Sequence, residues 1–114
     1  MHEFSIVQAL VEQVEREVAA ADASGRITRL ELSIGRLSGV HCDSIRFAFE
    51  VLAPDTIMAG AELVIDEPRA ECVCRECHVR SPLEEFISAC PACDSPDITI
   101  EGGREMLLQS IELE

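Results

Sequence analysis

Between residues 74 and 93 the chain reads Cys74-Arg75-Glu76-Cys77, then twelve residues, then Cys90-Pro91-Ala92-Cys93. Two residues between cysteines let a tight turn aim both thiolates at one ion, and two such turns complete a tetrahedron of sulfur. That donor set suits Zn²⁺ and closes its coordination sphere, leaving no position for a reacting water. Structural Zn(II) is therefore expected on Cys74, Cys77, Cys90 and Cys93, with metal binding serving as folding energy for a segment that otherwise buries little. Two Cys-x-x-Cys disulfides or a redox dithiol are the competing readings. A thioredoxin-like site, however, has one such motif opening a helix after a strand, not two facing motifs. Cys72 and Cys42 are left over: Cys72 reads as a spare or partly buried thiol, with exchange into the metal site as the competing reading, and Cys42 as a packed one. His78, directly after Cys77, reads as a solvent-facing histidine.

On the N-terminal side of this module the apolar periods define the elements. Phe4, Val7, Val11, Val14 and Val18, widened by Ile6 and Leu10, recur in steps of three and four. They predict an amphipathic helix over residues 4–20, with Glu12 and Arg16 able to pair on its outer face. Asp22-Ala-Ser-Gly25 should end it, with Gly25 in a left-handed turn. From Arg26 the period is two: Thr28, Leu30, Leu32 and Ile34 alternate with Arg29, Glu31 and Ser33, a half-buried strand. A glycine loop, Gly35 to Gly39, leads to a second helix that should start at Asp43 as N-cap, bury Ile45, Ala48, Phe49 and Leu52, and stop at Pro54.

Ala61 to Glu67 reads as a second strand closed by Pro68. Residues 69–97 show no long periodic pattern and read as a metal-organised loop. Periodicity returns over Glu105–Leu113, where a shift of phase near Gln109 leaves the facing of the last strand open. The expected fold is α+β: a small, mostly antiparallel three-stranded sheet with two helices on one face, and a four-cysteine zinc-ribbon-like lobe between the last two strands.

Composition restricts function. The chain has 114 residues, 22 acidic against 9 basic side chains and a net charge of −13, with 4% aromatics and neither Trp nor Tyr. Such a surface repels phosphate and offers few rings for base stacking, which argues against nucleic acid. No apolar run approaches the ~20 residues of a membrane span. No basic and apolar leader opens the chain. A cytoplasmic protein in a reducing compartment is expected, so clustered cysteines favour metal. No Ser/His/Asp set or phosphate-cradling glycine loop is visible, and the chain is not read as an enzyme.

The start of the chain offers a second kind of metal site. The α-amine of Met1, the amide nitrogen of His2 and its imidazole Nδ1 can close a five- and a six-membered chelate ring on one ion. Few biological ions displace an amide proton; Ni²⁺ and Cu²⁺ are the main ones, and both favour planar nitrogen coordination. Glu3 adds a carboxylate or its own amide nitrogen. A solvated, metal-free terminus is the competing reading.

Taken together, Met1-His2-Glu3, the first helix, Gly35-Arg36-Leu37-Ser38-Gly39-Val40, the stretch Ile45-Arg46-Phe47-Ala48-Phe49-Glu50-Val51-Leu52 and the paired cysteine motifs resemble the HypA/HybF family over essentially the whole chain. These are nickel-incorporation accessory proteins for [NiFe] hydrogenase, and some relatives also serve urease. The resemblance implies a nickel-binding domain of residues 1–68 with 98–114 and a zinc domain of residues 69–97. It implies Ni(II) as cargo on His2, with Met1 and Glu3 beside it, and Zn(II) on the four cysteines. It further implies delivery with a HypB-like partner GTPase to the hydrogenase large subunit, by a monomer or homodimer. Some family members carry histidine near both cysteine motifs. Here only His78 does, since Asp94 follows Cys93, so an exchange of zinc ligands involving two histidines is not expected. The alternative reading of the whole chain is a zinc-ribbon module that binds protein or nucleic acid without transferring nickel.

Overall fold

The computed structural model describes residues 2–114, with side chains from Glu3 onward. The elements are α1 (His2–Ala20), β1 (Ile27–Ile34), α2 (Cys42–Leu52), β2 (Glu62–Asp66), β3 (Ala70–Cys74), β4 (Arg80–Leu83), β5 (Ile98–Glu101) and β6 (Met106–Leu113), with a 3-10 turn at Ala53–Asp55 after α2. The fold is a mixed α+β one with two helices and two three-stranded sheets, ordered β2-β1-β6 and β4-β3-β5. Two compact units result: Met1–Leu32 with Val40–Ile65 and Leu107–Glu114, and Ser33–Gly39 with Asp66–Met106.

In the first unit, the three-and-four spacing of α1 works as expected: Val7, Leu10, Val11 and Val14 are buried. Each fully buried side chain of this size contributes roughly 1.5–3 kcal/mol relative to exposure. Glu12 and Arg16 lie on the exposed face but form no ion pair among the described residues. The helix ends at Ala20 as expected, but the residue that turns the chain just past it is a different one. Asp22, not Gly25, takes the left-handed position just past the helix, with φ 50°. Its N–H donates to Ala19 O at 3.1 Å and the Ala23 N–H reaches back to Val18 O at 3.1 Å, which is the Schellman arrangement. Aspartate tolerates this backbone better than most residues. Gly25 is also left-handed, further along, where a Cβ would come within 2.5 Å of the Glu114 carbonyl oxygen.

Helix α2 starts at Cys42, next to the expected Asp43, but its N-cap lies two residues before that carboxylate. His41 is the N-cap and makes no side-chain capping bond to the backbone. Its Nδ1 meets Ser44 Oγ at 2.7 Å, while Asp43 sits in the first turn and pairs with Arg46 at 3.0 Å. Ile45, Ala48 and Phe49 are buried as expected, and Pro54 ends the helix by diverting it into the 3-10 turn. Phe47 on α2 meets Phe4 on α1 edge to face, with centroids 6.2 Å apart.

Strands β1 and β6 are antiparallel: the Glu114 N–H donates to Arg26 O at 2.9 Å, Thr28 Oγ1 to Glu112 O at 3.2 Å, and Ser110 Oγ to Glu31 at 3.2 Å. From the central strand, Arg29 reaches Glu62 at 3.9 Å and Glu112 at 3.5 Å, one residue on each flanking segment.

The second unit contains what the sequence did not reveal. The segment read as a loop carries β3 and β4, and β5 follows directly. All three pair antiparallel, with Cys72 opposite Ser81 on one side and Ile100 on the other. The reason lies in β3, where Ala70, Cys72 and Cys74 are buried while Glu71 is exposed and Val73 half-buried. This is a strand period of two, hidden because its buried positions are an alanine and two cysteines that read first as thiol chemistry. Leu37, Ala70, Cys72 and Leu83 form the core, flanked by Ile87, Ile98 and Ile100.

The Gly35–Gly39 loop belongs to this unit through its backbone. Gly35 N–H donates to Glu105 O at 2.8 Å, Arg36 N–H to Pro68 O at 3.0 Å and Leu37 N–H to Gly103 O at 2.6 Å. Gly103 has φ 74°, and a Cβ on it would lie 2.6 Å from the Ala70 Cβ; a Cβ on Gly35 would lie 2.2 Å from the Gly103 carbonyl. Only glycine fits at either place.

Candidate metal centre

The two Cys-x-x-Cys segments fold as two copies of one turn. Cys74 N–H donates to Val79 O at 3.2 Å, and His78 N–H returns to Cys74 O at 3.1 Å. Sixteen positions later, Cys90 N–H donates to Ser95 O and Asp94 N–H to Cys90 O, both at 2.8 Å. The first turn emerges from the end of β3, which places Cys74 in the core. Arg75 ties the same turn to the approach of β5, meeting Asp97 at 3.1 Å and Thr99 at 2.9 Å.

These turns bring the sulfurs of Cys74, Cys77, Cys90 and Cys93 within 4.8 Å of one another. Cys74 and Cys93 Sγ are 3.6 Å apart, and Cys77 and Cys90 Sγ 3.7 Å. A zinc tetrathiolate with bonds of about 2.3 Å has sulfur–sulfur edges of about 3.8 Å. Two of the edges are thus already at the length of a metal-filled tetrahedron, with the other sulfurs within 4.8 Å, and the donor set fits Zn²⁺.

Backbone N–H groups point at the sulfurs. Those of Glu76 and Cys77 lie 3.4 Å from Cys74 Sγ, and that of Ala92 lies 3.3 Å from Cys90 Sγ. The Cys77 N–H, helped by that of Glu76, outweighs burial and holds the Cys74 thiol down at about 6. The Val79 N–H pulls Cys77 down, but burial and the neighbouring Cys74 and Cys90 sulfurs push it up overall. At Cys93 the Ser95 N–H acts in the same lowering sense, yet burial of the sulfur and the three other sulfurs push it up to about 12. A lone charge is accommodated here, whereas several crowded thiolates require a cation.

All four cysteines read from the sequence as ligands are brought together. Cys72 is not: it is wholly buried among Leu37, Ala70 and Leu83, and burial raises its pKa. Cys42 is half-buried at the start of α2, and His78 is exposed outside the cluster. Sequence reasoning did not find the left-handed residues His78 and Asp94, nor Ser95, whose buried carbonyl closes the second turn. The matching four-residue offset of His78 and Asp94 from Cys74 and Cys90 is the signal that could have shown them. For the N-terminal metal site, Met1 and the His2 side chain lie outside the described residues. Glu3 is half-buried in the first turn of α1.

Comparison with known proteins gives one consistent answer. The family model described as "Hydrogenase/urease nickel incorporation, metallochaperone, hypA" matches residues 1–113. The hydrogenase maturation factor HypA of Chlorobaculum tepidum is 40% identical over 114 residues, covering 100% of both chains. That of a Shewanella species is also 40% identical, covering 100% of this chain and 96% of its own. Among solved structures, the solution structure of a HypA protein aligns with a TM-score of 0.68 at 27% identity, covering 100% of this chain and 97% of its own. The nickel metallochaperone HypA of Helicobacter pylori aligns at 0.64 and 25% identity, covering 97% of this chain and 96% of its own. The chain belongs to the HypA family of hydrogenase and urease nickel-incorporation metallochaperones.

Proposed function

We propose that this chain carries Ni²⁺ at its N-terminus and hands it over during maturation of [NiFe] hydrogenase, while its four cysteines hold Zn²⁺ for structure. Nickel would use the Met1 amine, the amide and Nδ1 nitrogens of His2, and Glu3. The observation that carries this reading is the start of α1 at His2. In the first turn of a helix the N–H groups have no intrahelical acceptor. The amide nitrogens of His2 and Glu3 are therefore open to metal-driven deprotonation without breaking a helical bond. Glu3 in the same turn favours a cation beside the otherwise electropositive helix end.

The two ions are sorted by donor type and geometry, since intrinsic affinity alone would not select nickel over copper. Four thiolates close the zinc sphere, so that ion stays. A terminal nitrogen site can be released one ligand at a time, as a carrier requires. Nickel then belongs to the unit containing α1, and zinc to the unit containing β3. The recipients are the hydrogenase large subunit and a partner GTPase of the HypB kind, in the cytoplasm, and the family's description adds urease as a second client.

Isothermal titration with Ni²⁺ tests the proposal. One equivalent is expected to bind the zinc-loaded chain, and His2→Ala is expected to abolish that site while zinc content stays at one per chain. Equal nickel affinity in both proteins would remove the terminus from the mechanism.

A further inference from the structure

The two edges of the β2-β1-β6 sheet are built in opposite ways. Strand β2 is five residues long, begins with Glu62, ends with Asp66 and runs into Glu67-Pro68. Short length, terminal charge and an adjacent proline are the devices that keep an edge from pairing. Strand β6 has none of them. It is eight residues long, Met106-Leu-Leu-Gln-Ser-Ile-Glu-Leu113, with one charge and no proline. Pairing with β1 uses only one side of its backbone, so alternate residues direct N–H and C=O away from the sheet. Leu107 and Leu113 remain exposed along it, at 56% and 37%.

Beside this edge lies a groove of about 370 Å³ between the C-terminal half of α1 and β6. Val18 and Ala21 form its helix wall, and Leu108, Ile111 and Leu113 its strand wall, with Glu17 carrying the charge. An unpaired strand edge beside a helix-walled apolar groove is the arrangement by which folded domains add an extended peptide as an extra strand.

The geometry points to β6 and the α1 groove as a docking site for an extended segment of a partner protein, one with alternating apolar residues and arginine or lysine between them. Its main chain completes the β6 ladder and its apolar side chains enter the groove, while its cations, on the opposite face of the added strand, are drawn by the acidic chain. Charge decides against a second copy as the occupant, since two chains of −13 repel each other at close approach. The site lies at the far end of α1 from His2 and shares no residue with either metal site, so its test does not depend on nickel.

The probe is a short, fluorescently labelled peptide alternating arginine and valine, titrated into the full zinc-loaded chain. Saturation should slow hydrogen exchange at the β6 amides of residues 107–113. Methylating alternate peptide nitrogens should weaken binding by about tenfold or more, since ladder hydrogen bonds are lost. Replacing arginine by glutamate should weaken binding at low salt, and Ala21→Trp, at an exposed position, should do the same by filling the groove. Absence of binding at millimolar peptide, protection located elsewhere, or indifference to N-methylation would each overturn the proposal. So would a chain that sediments as a dimer with β6 already protected, because a second copy would then occupy the edge.

Discussion

His78 and Asp94 occupy the same place in two copies of one turn: each lies four residues after the first cysteine of its motif and returns its N–H to that cysteine's carbonyl. Each is left-handed, with φ 63° and 65°. That backbone lets the chain leave the turn while a second N–H from the next residue, Val79 or Ser95, reaches a ligand sulfur. The metal site is thus specified by backbone direction as much as by its cysteines.

A backbone role makes a definite prediction. His78→Gly and Asp94→Gly should keep zinc and leave the second unit as stable or slightly more so, because the left-handed conformation costs a non-glycine residue roughly 1 kcal/mol. Asp94→Val should destabilise it by about 1–2 kcal/mol. Chelator competition and thermal unfolding measure both effects. Zinc loss in the glycine variants would show that the side chains matter instead.

Removing the ion should act locally. Cys90→Ser, or exhaustive chelation, is expected to collapse the ordered signals of residues 66–106 while α1, α2 and the buried Val7–Val14 face keep theirs, since binding energy here is folding energy. Cys72→Ala should retain zinc and lose about 1–2 kcal/mol of stability from the core it shares with Leu37 and Leu83. Amide spectra of the three proteins separate these outcomes.

Zinc uptake should release protons. At pH 7 Cys74, held at about 6, is already a thiolate in the metal-free chain, whereas Cys77 and Cys93, raised above the ordinary thiol value, are protonated. At least two protons must therefore leave, so affinity falls by at least about a hundredfold per unit as pH drops, and more steeply below the Cys74 value. Titration in buffers of different ionisation enthalpy counts them. A count of zero would contradict the assigned protonation states.

The close approach of Gly35 to Gly103 should tolerate no side chain. Gly35→Ala places a methyl 2.2 Å from the Gly103 carbonyl, and Gly103→Ala meets Ala70 at a positive φ as well. Each should cost about 3 kcal/mol or more, because both obstacles are backbone or core and cannot move aside. Gly39→Ala, at the other end of the loop with open space around it, should cost less. Denaturant unfolding of the three variants orders them.

Periodicity disclosed α1, β1 and α2 because each presents one face to a core, and spacing disclosed the four cysteines because a metal demands it. It missed β3, where Cys72 and Cys74 are both chemistry and core. It placed the end of α1 at Ala20 and the start of α2 within a residue, but not the residues at the turns: Asp22 precedes Gly25 in the left-handed region and His41 stands at the N-cap position expected of Asp43, so intrinsic preference yielded to where the chain had to turn. The pairing of the Gly35 loop with Glu105 and Gly103 joins residues about seventy positions apart, and no local pattern reports it.

The central claim is that nitrogen at the start of the chain carries nickel while sulfur keeps zinc. Its most direct test is to add one residue ahead of Met1, which displaces the α-amine but leaves the His2 imidazole and all four cysteines intact, and then to measure nickel and zinc per chain after loading. The account predicts one zinc in both proteins, with nickel retained by the original chain and lost by the extended one. Equal nickel in the two would contradict it.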